Sequence, residues 1–483
     1  MKKVLHILVA LLAGFAGINA QAQPSMDSVF VLPDSVTAMT LQQFYAAILE
    51  YHPVVKQAKL LPENARQEIR LARGAFDPKL EVLIDQKEFQ DKSYYNYTDI
   101  YLSFPNRTFI EPKIGLEDNS GELLNPESII PGNRQYFAGV NIPIGRGLFT
   151  DDRRTAIRQA ELFQTIAEAD QVKLVNKILL AAAKDYWNWY NSYYNFRLLT
   201  RGADIAREIF SRVKMNVALG EQAAIDSVQA KITLQTRLVE RQEAWLAFQN
   251  AGIHLSNYLW DDQSYPLVLT SRVAPVLEVS DLSSLNLQTL SALADSARVN
   301  HPELIKLRTK INQLELERSL AREFLKPRLD LSYYLLSQPS AEKVIDPAND
   351  YKFGLEFSMP ILLRKERSKV AITNLKIQST EFEQTQAERE ILNGITSVFN
   401  DITNTSIIIG QQTDMVNLYD RLLQAEFLNL ENGESDLFKL NIQQEKLIQA
   451  QSKLLKLKSE YEKLKAELYW AAGIRNLNFN NQD

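Results

Sequence analysis

The sequence predicts a mainly α-helical protein with a smaller β part and two duplicated halves. Three observations predict this fold class. The same landmarks occur twice in the same order, two segments of about 70 residues contain no proline, and several short segments alternate apolar with polar residues. Long segments without proline allow continuous helices, whereas alternation with period two is typical of strands that have one apolar face.

The duplication rests on four landmarks. His52-Pro53 recurs as His301-Pro302, and in each half another proline, Pro78 or Pro327, follows the first by 25 residues. The remaining landmarks are Ile142-Pro143-Ile144 against Met359-Pro360-Ile361, and two aspartates, Asp226 and Asp436, each 34 residues before a tryptophan, Trp260 or Trp470. Because repeats decide architecture, we predict two repeats of one design.

The chain therefore divides into five segments. They are a leader at 1–22, a first repeat at 23–260, a linker at 261–286, a second repeat at 287–472 and a tail at 473–483. The leader has the pattern of a secretory signal: Lys2 and Lys3 precede an apolar run, and Ala20-Gln21-Ala22 is a small-x-small site. Cleavage between Ala22 and Gln23 is predicted, so the mature protein is exported. A membrane anchor is the alternative, but the run is short for a spanning helix.

Composition excludes several classes of site. The chain has no cysteine and four histidines, which excludes disulfides, thiolate metal sites and a cysteine nucleophile. Its net charge of −5 lacks the basic footprint of nucleic-acid binding. No catalytic constellation is recognisable, so we predict a protein that is not an enzyme and has no cofactor and no metal site. The matching His52 and His301 are assigned a structural role at helix turns.

Each half predicts two shorter helices followed by two very long ones. The shorter helices are expected at 41–51 and 54–73, and at 288–299 and 303–323; the long helical segments span about 151–259 and 362–471, each broken once. A heptad seam runs from Leu447 to Ala471, and a looser one from Leu234 to Leu259 is interrupted by Arg241 and Gly252. Long helices that return around one turn form antiparallel coiled-coil hairpins.

Strands are expected between the shorter and the longer helices, at about 78–144 and 328–360. Alternation is clearest from Leu329 to Leu335 and from Tyr351 to Met359. Two further strand-like segments, about 95–104 and 108–116, are rich in Tyr and Phe, and a short strand is expected at 267–269. Segments of about 10 alternating residues suit a membrane barrel. They suit a soluble sheet with one wet face equally well.

Taken together, these features resemble the TolC-like outer membrane efflux protein family, also named outer membrane factors. The most specific segments are two helix-hairpin turns, Ala218-Leu219-Gly220-Glu221-Gln222-Ala223-Ala224-Ile225-Asp226 and Asn432-Gly433-Glu434-Ser435-Asp436-Leu437-Phe438. The run Pro360-Ile361-Leu362-Leu363-Arg364-Lys365-Glu366-Arg367 is similar to the strand-to-helix corner of that family. The resemblance extends over the mature chain.

The resemblance implies a homotrimer in the outer membrane of a Gram-negative cell. Each protomer would give four strands to a shared twelve-stranded transmembrane β-barrel, and the coiled-coil hairpins would form a long periplasmic α-barrel. The partners implied are outer membrane lipid, a periplasmic adaptor (a membrane fusion protein) and an inner-membrane pump of the RND or ABC type. The function implied is a passive exit duct for small molecules. Alternatives are the outer membrane component of type I protein secretion and, in a different class, a soluble periplasmic coiled-coil adaptor or structural protein.

The same resemblance assigns residues to two roles. The tips that dock the adaptor would carry Gly220, Glu221, Asp226, Gly433, Glu434 and Asp436. The entrance constriction would be formed by Asp436 and Lys439. The family often has a second acid in place of the lysine, and the two acids repel; in this chain the opposite charges of Asp436 and Lys439 would pair. The segment 95–116 departs from the family pattern: it is either an extracellular hairpin or two additional spanning strands.

Overall fold

A computed structural model describes residues 37–270, 272–276, 286–338, 346–432 and 434–474. The predicted signal with its cleavage site at Ala22 and Gln23, Gly433 of the second helix turn, and most of the tail lie outside the described residues. Among the helices that are described, none is both long enough and apolar enough to cross a membrane.

The described residues are mainly helical, in the order that the sequence predicts. The helices are α1 (Leu41–Tyr51), α2 (Pro53–Arg73), α3 (Asp152–Leu219), α4 (Ala224–Ser256), α5 (Leu287–Asn300), α6 (Pro302–Glu323), α7 (Arg364–Glu431) and α8 (Leu437–Ala471). Both α3 and α7 are 68 residues long. At about 1.5 Å per residue each helix is roughly 100 Å long.

Local chemistry explains where the short helices begin and end. A capping box starts α1: the Thr40 hydroxyl accepts the Gln43 amide, and the Gln43 side chain accepts the Thr40 amide. His52 ends α1 in an extended conformation, which a residue before proline favours. Pro53 then opens α2 at a position where a missing N–H costs nothing.

The strands form one six-stranded antiparallel sheet and one short parallel pair. The strands of the sheet are β2 (Lys79–Phe89), β3 (Lys92–Ser103), β4 (Glu111–Ser120), β5 (Arg134–Pro143), β7 (Arg328–Ser337) and β8 (Tyr351–Ser358), in the spatial order β2-β3-β4-β5-β7-β8. The parallel pair joins β1 (Thr37–Met39) to β6 (Val273–Pro275). The sheet has six strands where the resemblance implies four, because both strand-like segments within 95–116 enter it.

The short strand expected at 267–269 does not form. The Leu267 amide donates to the Leu259 carbonyl, and the Leu269 amide donates to the Ser256 hydroxyl. These bonds tie the segment to the C-terminal end of α4 instead of to a strand. The linker contributes its strand a few residues later, as β6.

The chain forms two compact units, each discontinuous in sequence. The first unit comprises the described residues of 1–59, 172–301 and 389–483. Its largest core is an aromatic cluster on α1, α3 and α4 that includes Phe44, Tyr186, Trp189, Phe196 and Phe248. Phe196 and Trp245 lie 5.0 Å apart between ring centroids, and Tyr186 anchors the cluster by donating to the Met39 carbonyl at 2.8 Å.

The heptad seams of the first unit are buried as predicted. Along α8, Leu447, Tyr461 and Leu468 are buried, and a second core packs this seam against Ile395, Phe399 and Ile402 of α7. On α4, Leu234, Trp245, Phe248 and Leu255 are buried. Arg241 and Gly252 occupy buried positions within this seam rather than ending it.

The second unit comprises residues 60–171 and the described residues of 302–388. It contains the six-stranded sheet and the helical segments that lead into and out of it. Ion pairs join those segments: Lys306 lies 3.0 Å from Asp170, and Lys310 lies 3.4 Å from Glu383. Exposed pairs of this kind contribute little to stability, whereas Ile157, Leu304 and Ile377 on the same helical segments are buried.

Candidate functional site: a two-faced sheet and two helix turns

The register of the six-stranded sheet separates apolar from polar side chains. Residues directly opposite each other on neighbouring strands share a face. Val82 pairs with Ile100, Ile100 with Leu116, and Leu116 with Tyr136, so these four side chains lie on one face. One face consequently carries an apolar residue from every strand: Leu80, Val82, Ile84, Ile100, Leu102, Ile114, Leu116, Tyr136, Ala138, Val140, Ile142, Leu329, Leu331, Tyr333, Leu335, Tyr351, Phe353, Leu355 and Phe357.

This apolar face is solvent-exposed within the protomer. Leu80 is 68% exposed, Phe353 57% and Phe357 65%. Large contiguous apolar surfaces mark contacts with membranes or proteins, because exposing them to water is unfavourable. The face is therefore a candidate contact surface for lipid or for another protein.

The opposite face is polar and concave. The Lys352 ammonium of β8 lies 3.4 Å from the Glu117 carboxylate of β4, although β5 and β7 separate the two strands. Three strand spacings span about 14 Å in a flat sheet. The two side chains meet above the intervening strands because the sheet curls towards its polar face.

Glycines on the concave face make room for aromatic rings. Phe137 lies over Gly115, and a Cβ at Gly115 would come 2.5 Å from its ring. A Cβ at Gly139 would lie 2.1 Å from the Tyr333 carbonyl oxygen and would also clash with Tyr334. Phe137 and Tyr334 pack edge to face with centroids 5.6 Å apart. Pairing glycine with a neighbouring aromatic residue is a device that supports sheet curvature.

A polar cavity of about 590 Å³ opens on the concave face, next to the strand ends that join the helices. Its lining includes Glu111, Arg153, Asp330, Tyr334 and Glu356. Arg153 lies 3.5 Å from Glu111. Charged and hydroxyl groups from β4, β7, β8 and α3 thus converge there, which keeps this side of the sheet wet.

The corner from β5 into α3 is held by buried polar contacts. The Glu323 carboxylate accepts the Gly147 amide at 3.2 Å and pairs with Lys326 at 2.7 Å. The Arg154 guanidinium donates to the carbonyls of Leu148 and Gly147. Gly147 has a φ of +95°, which glycine adopts without strain. These contacts fix the direction in which the chain leaves the sheet.

The first helix turn, between α3 and α4, is a Schellman motif. The Glu221 amide donates to the Asn216 carbonyl at 2.8 Å, and the Gly220 amide donates to Val217 at 3.1 Å. Gly220 has a φ of +80°, a left-handed conformation that glycine adopts without strain, so the turn requires a glycine at this position. Asp226 lies in the first turn of α4, where a carboxylate is favoured by the helix dipole.

The second helix turn, between α7 and α8, differs from the first at the start of its second helix. The Asp436 carboxylate accepts the Lys439 amide at 2.9 Å and so caps α8. The Glu434 amide donates to the Asn429 carbonyl at 2.8 Å, and the Ser435 hydroxyl donates to Glu426. The contact that the structure gives between Asp436 and Lys439 is therefore through the backbone.

The structure brings the two turns into one neighbourhood. A small apolar cluster joins Val213 of α3, Ala230 of α4 and Leu437 of α8, with Val217 and Leu430 packed against it. Asn441 of α8 also donates to the Thr233 hydroxyl at 3.2 Å. The described tip residues Gly220, Glu221, Asp226, Glu434 and Asp436 thus lie at the same end of the first unit; their role as docking residues stays a prediction.

Sequence reasoning missed one feature, an exposed heptad stripe on α4. Ile225, Ile232, Val239, Leu246 and Ile253 recur every seven residues, and each is more than half exposed. Val228, Ile232 and Val239 also line a shallow, mostly apolar groove. The spacing is visible in the sequence, but the seam of Leu234 to Leu259 predicts a different apolar side for the same helix.

The described residues contain no group of three His, Asp or Glu side chains placed to hold a metal ion. His52 is buried against Tyr258 and Trp260, with ring centroids 6.2 and 6.1 Å away. Its Nδ1 accepts the Val54 amide at 3.1 Å. Burial lowers the pKa of His52, and the contacts agree with the structural role expected from the sequence.

The chain has the fold of outer membrane efflux channels. No protein-family model matches it, and no curated protein sequence matches it. The CmeC outer membrane channel of Campylobacter jejuni has a similar structure, with a TM-score of 0.63 at 14% identity over 95% of this chain and 94% of that chain. For the outer membrane protein VceC of Vibrio cholerae the TM-score is 0.62 at 14% identity, over 90% and 96% of the two chains. For the MtrE outer membrane channel of Neisseria gonorrhoeae it is 0.61 at 13% identity, over 95% and 98%. The mainly helical fold with an antiparallel sheet that the resemblance implied is confirmed.

Proposed function

We propose that this protein is an outer membrane channel of the TolC-like type, an exit duct that passively conducts small molecules. The observation that carries the proposal is the exposed apolar face that extends over all six strands of the curled sheet. Together with the shared fold of outer membrane efflux channels, it favours a lipid-facing wall over a soluble sheet.

Strand length supports a membrane position for the sheet. The six strands contain between 8 and 12 residues, and a tilted membrane strand needs about 9–11. A lipid-facing surface outside and a polar, charged surface inside is the arrangement of a water-filled barrel. The predicted signal and cleavage between Ala22 and Gln23 agree with export to the outer membrane.

The surfaces that one protomer leaves uncovered support the proposal of a homotrimer. The exposed stripe of α4 (Ile225, Ile232, Val239, Leu246 and Ile253) repeats with the period of a coiled-coil seam. We propose that this stripe packs against a long helix of the next protomer, so that the hairpins of three chains close a periplasmic α-barrel. The two repeats would then supply equivalent hairpins to that barrel.

The helix turns are proposed as the end that docks a periplasmic adaptor, which in turn connects to an inner-membrane pump. A Schellman turn at Gly220 and a capped turn at Asp436 present polar tips of defined shape. Three copies of Asp436 and Lys439 would form the entrance constriction. Lys439→Asp is expected to change the conductance, because the substitution places three new acids at the entrance; an unchanged conductance would remove Lys439 from the constriction.

Two alternatives are separated by different observations. Type I protein secretion uses the same fold with a different pump, so co-purification with the partner proteins decides between them. A soluble periplasmic adaptor or structural protein would leave the apolar face of the sheet without lipid. Extraction from membranes only with detergent favours the channel, and solubility without detergent favours the adaptor.

The test is single-channel recording of the detergent-extracted protein in a planar bilayer, with the subunit number measured by native mass spectrometry. Discrete conducting events from a trimer are expected. A protein that stays in the aqueous phase and never inserts would overturn the proposal. Val239→Asp is the companion variant: it should weaken the trimer, because it places a charge on the α4 stripe. Ala247→Asp, at an exposed position of the same helix outside the stripe and its groove, should leave the trimer intact.

A further inference from the structure

We propose that the barrel of this protein has eighteen strands, six from each of three copies, and that β2 of one copy pairs with β8 of the next. This inference rests on the proposed function, since it takes the trimer from there. It adds which edges meet, and it replaces the twelve strands that the resemblance implies.

The edges of the sheet are suited to a second copy of the same chain. Within the described residues, β2 pairs only with β3 and β8 pairs only with β7. Unpaired backbone groups are costly in lipid, so a membrane sheet must close. Five antiparallel steps separate β2 from β8. The two edges therefore run in opposite directions and continue the antiparallel order when copies are placed side by side.

The additional strands β3 and β4 belong to the wall itself. They lie between β2 and β5. If this half had one strand pair, as the resemblance implies, β2 and β5 would be that pair. Their outward residues Ile100, Leu102, Ile114 and Leu116 fill the apolar band between those of β2 and β5. An extracellular hairpin would not need to continue that band.

The band also shows that the strands are tilted. The cross-strand path from Val82, in the middle of the apolar run of β2, reaches Ser337 on β7. Ser337 lies beyond the end of the apolar run Leu329–Leu335. The band has therefore moved by about five residues, or about 17 Å, over four strand spacings of about 4.8 Å each. A tilt of roughly 40° results, which is in the range of closed barrels.

A barrel closed by one protomer would leave no pore, whereas a barrel closed by three would. Eight strands already leave an interior just wide enough for side chains, so six strands closed on themselves would leave no pore. Because diameter grows roughly linearly with strand number, eighteen strands give a barrel about 1.5 times as wide as twelve. The pore through the membrane would then be wider than that of a twelve-stranded barrel.

Cross-linking tests the edge pairing directly, because the chain has no native cysteine. Aligning the apolar runs of β2 and β8 across the interface places Asp85 opposite Lys352. The double variant Asp85→Cys and Lys352→Cys is expected to give covalent dimers and trimers on non-reducing gels. Asp85→Cys with Glu356→Cys, on the same strands but about 14 Å out of register, is the matched control and should link far less.

The outcomes separate this inference from the proposed function. Covalent trimers from Asp85 with Lys352, or from Glu81 with Glu356 four residues further along the same register, support edge pairing. Links within one chain only, or none from either pair, overturn it even where native mass shows a trimer. A protein that forms no trimer at all contradicts the proposed function instead.

Electron cryo-microscopy of the trimer counts the strands independently. Eighteen strands are expected for the full chain. Deletion of Lys92–Ser120 removes β3 and β4 and leaves β2 connected to β5, so a twelve-stranded barrel is expected for that variant. Twelve strands in the full chain, with β3 and β4 outside the wall, would overturn the inference without affecting the channel proposal.

Discussion

The aromatic cluster of the first unit and the outer face of the sheet in the second are both rich in large apolar side chains, but only the cluster is covered by the protomer itself. Trp189 and Tyr186 are fully buried among helices α1, α3 and α4. Phe353 and Phe357, on the apolar face of β8, are more than half exposed. The same residue types are thus placed in two different environments.

The difference indicates that each region is completed by a different medium. Burying an aromatic side chain within the protein removes its surface from water and fills space with packed neighbours. The sheet face gains nothing of this kind in the protomer, so in the proposed channel its stabilisation depends on lipid. Substitutions in the two regions should therefore respond differently to the surrounding medium, and the following variants test that expectation, starting with the largest effect.

Trp189→Ala should destabilise the first unit by about 4 kcal/mol, the usual range for deleting a buried aromatic side chain. The loss should be similar in every detergent, because the cavity is internal. Phe353→Ala is the matched variant on the sheet and should cost much less in the same micelles. Thermal unfolding followed by near-ultraviolet circular dichroism measures both; equal losses would contradict the comparison.

Phe353→Lys should impair folding of the sheet into vesicles by about 2–4 kcal/mol, the cost of a lysine at the bilayer midplane. Lys352→Gln, one residue away on the concave polar face, is the control and should have little effect. Urea titration of folding in vesicles gives both values. If Phe353→Lys folds as well as the parent, the apolar face is not the lipid-facing one.

Asp436→Ala should lower stability by about 1 kcal/mol, because α8 loses the cap that accepts the Lys439 amide. Asp226→Ala provides the contrast at the first turn. The N-cap of α4 is Ala223, which makes no side-chain bond, so only the smaller helix-dipole effect of Asp226 is lost. Hydrogen exchange at the first turns of α4 and α8 locates each change; equal losses at both turns would contradict the capping role.

The smallest effect concerns pH and His52. Since burial lowers the pKa of His52 in the folded state, the unfolded chain takes up the proton first as pH falls. The stabilisation by neutral His52 is complete above the ordinary pKa of about 6.5 and is lost as pH falls below it. In unfolding titrations between pH 5 and 8, the advantage of the parent over His52→Asn should shrink at acidic pH. A constant difference would show that His52 does not titrate in this window.

The helices were predictable because their signals are local. The His52-Pro53 and His301-Pro302 steps separate α1 from α2 and α5 from α6, as expected from the restriction before proline. The long segments without proline became α3 and α7. The helix turns at Gly220 and Asp436 were likewise marked by a glycine and by a capping aspartate.

Strand number was harder to predict. The segments that became β3 and β4 alternate weakly: Tyr95, Tyr97 and Tyr101 occupy the polar face, and Asp118 lies on the apolar one. A local pattern of this kind does not distinguish a hairpin outside the membrane from two strands of the wall. Register with β2 and β5 places both segments within one sheet, and that register depends on pairing between strands rather than on the local pattern.

Patterning within the sequence is thus sufficient to determine the element types, the helix ends and the apolar side of the clearest strands, because each depends on neighbours only a few residues away. Strand order, the six-stranded sheet, its curl and the exposure of the α4 stripe depend on tertiary contacts. Gly139 of β5 illustrates the reason. The Tyr333 carbonyl and the Tyr334 side chain of the neighbouring β7 occupy the space where a side chain at position 139 would lie, and nothing in the sequence around Gly139 reveals that contact.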